Sequence, residues 1–133
     1  MAFGEKYYTG VVWQDFQHRQ LMDLLYKLKK QRATQTDLSV LNFSAAFLAM
    51  YVNHHFKLEE EYMDVYSYPD IESHKKGHKI YIDKIKMFRK RQIDNDIKAI
   101  DVLITTINDW ILNHILTDDK KLGDYILSAE KEA

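Results

Sequence analysis

The spacing of histidines and carboxylates is where this sequence offers chemistry. His55 and Glu59 stand four residues apart, and so do His74 and His78. If these segments are helical, each pair stacks on one face, where it can grip one metal ion or two neighbouring ones. His18, inside Asp15-Phe16-Gln17-His18, and His114, followed by Asp118 and Asp119, add side chains of the same ligand type. Glu59 belongs to the run Glu59-Glu60-Glu61, ordinarily a solvated face, yet only Glu59 lies one turn beyond His55 on the same side. His54 points about 100° away around a helix and is read as surface or rim. Burying five imidazoles and a carboxylate without partners is costly, and coordination offsets that cost. The chain has no cysteine. Any metal must therefore use His, Asp and Glu, and disulfides, thiolate zinc sites, cysteine-ligated clusters and thiol catalysis are excluded.

Four segments must position these residues. Four glycines and one proline in 133 residues are too few for a sandwich or barrel, which needs a turn every ~8–12 residues. Apolar residues recur at helical spacing in Leu21, Leu24, Leu25 and Leu28; in Leu41, Ala45, Leu48 and Val52; in Ile82, Ile85 and Phe88; and in Leu103, Ile107, Trp110 and Ile111. The polar stretch 31–35 separates the first two stripes, and Thr36 or Asp37 can cap the second helix. Pro69 breaks the second from the third, and Asp94 or Asn95 can open the fourth. The resulting map places helices at about 13–31, 37–66, 70–90 and 94–116. Met22 and Met50 read as core fillers. Short connections favour antiparallel neighbours, hence an all-α, up-down-up-down antiparallel four-helix bundle. One domain, 1–133, is expected, with an N-terminal arm at 1–12, the bundle at about 13–116 and a short tail helix at about 119–129.

Composition narrows the partners. Nineteen Lys and Arg against 20 Asp and Glu give a net charge of −1, so no basic surface advertises a nucleic-acid partner. The opening MAFGEKYYTGVVWQ lacks a basic segment followed by an apolar run, and no stretch reaches the ~18 apolar residues of a membrane span. A cytoplasmic monomer with no membrane contact is expected.

The residues carry a resemblance as well. His55-Phe56-Lys57-Leu58-Glu59-Glu60-Glu61-Tyr62-Met63 resembles the hemerythrin segment His-Phe-x-x-Glu-Glu-x-x-Met. Tyr68-Pro69 followed by His74-Lys75-Lys76-Gly77-His78 is similar to its third-helix His-x-x-x-His, and Trp110-Ile111-Leu112-Asn113-His114-Ile115 with Asp119 to its closing Trp-Leu-x-x-His-Ile-x-x-x-Asp. The start, Lys6-Tyr7-Tyr8-Thr9-Gly10-Val11 leading to Asp15-x-Gln17-His18, keeps the family's interval from glycine to histidine. The likeness covers nearly the whole chain and is nearest to single-domain bacterial hemerythrins.

That resemblance implies a non-haem di-iron centre. One iron would take His74, His78 and His114, the other His18 and His55, with Glu59, Asp119 and an oxo or hydroxo group bridging them. The second iron would be one ligand short, and dioxygen would bind there, with Leu21, Phe56, Trp110 and Ile111 walling the pocket. Helical spacing favours Asp118 as the acid partner of His114, because residue i+5 lies about 140° away in a regular helix. The family pattern selects Asp119. The two agree if the helix frays or turns at Thr117-Asp118 and Asp118 caps the tail helix. No histidine has a glutamate three residues before it, which separates the pattern from the carboxylate-rich di-iron bundles. A nitrogen-rich set suits iron and favours reversible O2 binding, for transport, storage or delivery to an O2-consuming enzyme, over oxygenation. The resemblance also admits sensing of O2 or nitric oxide, and reduction of peroxide or nitric oxide.

Overall fold

The computed structural model describes residues 4–34, 37–92 and 97–132. A 3-10 turn at Glu5–Tyr7 precedes α1 (Val12–Ala33), α2 (Leu38–Val65), α3 (Ile71–Gln92) and α4 (Ile97–Trp110). A π-helical stretch at Ile111–Asp119 then leads into α5 (Lys120–Glu132). No strand occurs among the described residues.

Local chemistry sets the boundaries. Asp37 accepts a bond from the Ser39 N–H at 3.3 Å and so caps α2. Thr36, the other candidate cap, lies outside the described residues, as do Asp94 and Asn95. Beyond α2 the chain turns at Ser67, whose φ is 51°, ahead of Pro69. At the start of α1, the Asp15 carboxylate reaches back to accept from Thr9 N–H (2.7 Å), Thr9 Oγ1 (3.0 Å) and Gly10 N–H (3.0 Å). Gly10 has a φ of 89°, a left-handed conformation that favours glycine, and a Cβ there would also press on the Leu127 side chain.

The four stripes face one another. Leu21, Leu25, Val52, Ile85, Ile100 and Ile107 are fully buried in the main core, while Val11, Met63, Tyr68, Leu122 and Ile126 form a smaller cluster under the arm and α5. Contacts of α1 with α4 and the π stretch descend one segment as they climb the other: His18 meets Asp119, Lys29 meets Asn108, and Arg32 meets Asp101. That is the order expected of antiparallel neighbours. The candidate ligands fall between the two apolar clusters, with Glu59 between Phe56 and Met63, and Asp119 between Ile115 and Leu122.

One expectation from the sequence is corrected. The fourth helix does not fray at Thr117-Asp118; the tail helix expected at about 119–129 is α5, and it continues from the π stretch without a break. Trp110 and Lys120, at either end of the π stretch, both hold right-handed helical angles, and the Lys120 N–H reaches the Ile115 carbonyl five residues back. Widened turns leave the helix continuous while shifting which residues share a face. Side chains take up some of the disturbed carbonyls: Thr117 Oγ1 donates to Asn113 O, and Asn113 Nδ2 to Asp109 O at 3.0 Å.

Candidate metal centre

Each helix delivers its side chain to one buried point. His18 comes from α1, His55 and Glu59 from one face of α2, His74 and His78 from one face of α3, and His114 and Asp119 from the π stretch. None of the seven is more than 4% exposed. All five imidazoles turn Nε2 inward. His18 Nε2 lies 3.0 Å from Asp119 Oδ2, His55 Nε2 3.3 Å from Glu59 Oε2, His78 Nε2 3.0 Å from Glu59 Oε1, and His114 Nε2 3.2 Å from Asp119 Oδ1. His74 Nε2 is 3.1 Å from a carboxylate oxygen of each acid.

The π stretch turns Asp119, and not Asp118, in among the imidazoles. With an i→i+5 repeat, a residue five positions on returns toward the face of His114. Asp119 is therefore fully buried among the imidazoles. Asp118 does not cap a helix. It sits at the other edge of the same ring, Oδ2 3.0 Å from His114 Nδ1, with its side chain 55% exposed.

Other residues hold the rings from behind. His55 Nδ1 donates to Gln17 Oε1 at 2.6 Å, and His78 Nδ1 donates to Glu60 Oε2 at 3.0 Å. Gln14 Nε2 donates to Glu59 Oε2 at 2.8 Å and to the Asp119 carbonyl at 3.2 Å. A bond at Nδ1 fixes the tautomer and ring orientation, leaving the Nε2 lone pair for a metal. Sequence reasoning missed these supporting roles for Gln14, Gln17, Glu60 and Asp118. The signal for the glutamines was a helical spacing of four, Gln14 from His18 and Gln17 from Leu21, which puts polar residues on a face that must be buried.

Electrostatics follow from this crowding. Burial opposes the charge of Glu59, but His55, His74 and His78 outweigh it and hold the carboxyl well below its usual range. Asp119 is likewise depressed, because His114 and His18 overcome burial and the neighbouring Glu59. Burial also opposes charge on His74, yet Asp119 and Glu59 push it up to about 10, and Glu59 and Glu60 raise His78. His55 moves the other way, since burial dominates and favours the neutral ring. Protons on His74 and His78 must leave before their Nε2 atoms can ligate.

The donor set fits a metal pair. Glu59, His74, His78, His114 and Asp119 form one group and His18, His55, Glu59 and Asp119 a second, the ligand atoms of each lying within 4.8 Å of one another. The two groups share both carboxylates. His55 Nε2, His114 Nε2 and Asp119 Oδ1 are buried without a hydrogen-bond partner, although oxygen or nitrogen lies close by. Buried polar atoms left this way are costly, and a cation between them removes the cost.

Residues 9–126 match the family described as hemerythrin HHE cation binding domain. The chain belongs to the hemerythrin family. It is 31% identical to a bacteriohemerythrin of Stenotrophomonas maltophilia (strain R551-3), across 84% of this chain and 72% of the relative. It is 30% identical to a bacteriohemerythrin of Methylococcus capsulatus (strain Bath), across 86% and 87%, and 27% identical to one of Clostridium acetobutylicum (strain ATCC 824), across 90% and 96%.

The expected pocket residues of this hemerythrin chain are all buried. Trp110 lies 5.6 Å from His55, 6.4 Å from His18 and 6.5 Å from His114, ring centre to ring centre. Phe56 stacks at 4.2 Å on His78, a member of the three-histidine group, and meets Trp110 edge-on at 5.1 Å. Leu21 and Ile111 pack in the same core. Trp110 Nε1 is buried without a hydrogen-bond partner, a polar atom that reading Trp110 as an apolar wall overlooked.

Proposed function

We propose that this chain binds dioxygen reversibly at a non-haem di-iron centre, for O2 transport, storage or delivery. The observation that carries the reading is the pair of ligand groups with three and two histidines and the same two carboxylates. His74, His78 and His114 would hold one iron and His18 and His55 the other, with Glu59, Asp119 and an oxo or hydroxo group between them. The chemistry a metal pair held by these residues would supply is a two-electron exchange with O2, reversed on its release.

The protein's own groups make that exchange reversible. Glu59 and Asp119 bring negative charge between two cation positions, and Gln14 holds the Glu59 carboxylate in place from outside. Gln17, Glu60 and Asp118 keep His55, His78 and His114 oriented, so the polar shell needs little rearrangement when a ligand arrives or leaves. Leu21, Phe56, Trp110 and Ile111 keep water away and present no acid to protonate a bound ligand. A binding protein suits such a wall better than an enzyme.

Stopped-flow mixing of the ferrous-loaded protein with O2, followed by O2 removal, tests the reading. Return of the starting spectrum is expected. Sustained consumption of O2 or peroxide would make the protein an enzyme, and metal analysis finding one zinc per chain, with iron failing to bind, would end the di-iron reading.

A further inference from the structure

Residues 38–56 contain no Asp, Glu, Lys or Arg, and this part of α2 carries an apolar stripe on its outer side as well as its inner one. Leu41, Ala45, Leu48 and Val52 take the core side and are buried. On the opposite side Val40, Phe43, Phe47 and Met50 are 44%, 75%, 49% and 55% exposed. Their spacing of three, four and three places them within about 80° of one another around the helix. Met50, read from the sequence as a core filler, belongs to this outer stripe. A second apolar stripe exposed opposite a buried one is ordinarily a covered one.

We propose that the Val40–Met50 face of α2 is the contact between two copies of this chain, paired antiparallel about a two-fold axis. A two-fold contact requires that if residue i meets residue j, then j meets i. The stripe meets that condition with itself. Phe43 against Phe47 of the second copy and Val40 against its Met50 are both centred on Ala45, so a single register pairs all four apolar side chains. The same register carries Lys57 of each copy past the start of the other α2, toward Asp37, both of which are exposed. Parallel pairing would instead set Lys57 against Lys57 and Asp37 against Asp37, and would align the two helix dipoles. Between α1 and α2 a groove of about 280 Å³, lined by Leu24, Lys27, Gln31, Phe43 and Phe47, leaves room to seat the edge of the second stripe.

Area sets the strength of the contact. With roughly 150–250 Å² per buried aromatic side chain, the four residues offer on the order of 400 Å² per copy. Two copies with their polar rim bury about 1,000 Å² in all, the lower edge of specific association. The dimer is therefore expected at tens of micromolar rather than nanomolar. The monomer anticipated from the sequence becomes the dilute form.

Sedimentation velocity of the iron-loaded chain from about 1 μM to about 1 mM should show the mass rising from monomer to dimer. Phe43→Ser and Phe47→Ser should each weaken association about tenfold or more, with iron content and helical circular dichroism unchanged. Because the chain has no cysteine, cross-linking reads the register directly. Val40→Cys and Met50→Cys proteins, mixed and oxidised, should form a mixed disulfide, and neither should cross-link to itself. A chain that stays monomeric throughout, a dimer indifferent to both serine variants, or self-cross-linking of Val40→Cys would overturn the proposal.

Discussion

Gly77 lies so close to His114 that a Cβ on it would stand 2.9 Å from the ring's Cε1 and 3.4 Å from Nδ1. The third helix thus gives up a side chain where the fourth delivers an imidazole. Elsewhere in a helix, replacing glycine with alanine adds about 0.5–1 kcal/mol of stability. At Gly77 the added methyl group must displace His114, so Gly77→Ala is expected to lower iron content and weaken iron retention. Metal analysis and chelator challenge measure both, and full loading with a raised Tm would show that the ring can retreat without loss.

The two adjacent aspartates are expected to behave differently. Asp119→Ala removes a carboxylate shared by both ligand groups and should abolish binding of the metal pair. Asp118→Ala leaves every inward-facing atom in place but frees His114 Nδ1, which should weaken metal affinity about 10–100-fold. Chelator competition on the two variants separates these outcomes. Equal loss in both would mean that Asp118 also reaches the metal.

Metal removal should cost stability throughout the bundle, because seven buried polar side chains from four segments lose their common partner. At free metal a thousandfold above Kd, the linkage contribution is about 4 kcal/mol. For a chain of this size that corresponds to a Tm lower by roughly 15 °C after chelation. Thermal scans of the metal-loaded and chelated protein provide the check, and coincident transitions would indicate that the apolar clusters alone hold the fold.

Leu21→Ala and Ile111→Ala keep all seven candidate ligands and open the core cluster that also holds Phe56 and Trp110. Near-normal iron content is expected, with faster O2 release and faster autoxidation as water gains access, and a stability loss of about 2–5 kcal/mol. Unchanged O2 kinetics at full iron loading would show that these two residues act only as core.

The sequence by itself determined the helical architecture and the identity of the side chains that meet at the centre. Apolar residues at three- and four-residue spacing place one face of each helix inward, and His55/Glu59 and His74/His78 share those faces because i and i+4 are neighbours on any α-helix. Asp118 and Asp119 were not separable in this way. The answer depends on the π stretch, whose wider turns move residue i+5 toward His114, and periodicity calculated for a regular helix does not contain that change. Gln14, Gln17 and Glu60 were also hidden, since a polar side chain reveals a supporting role only once another helix brings its partner within 3.0 Å. Met50 makes the complementary point. An apolar residue in an apolar helix reads as core from either side, and only the packing of α2 against α1, α3 and α4 decided which face was left to solvent.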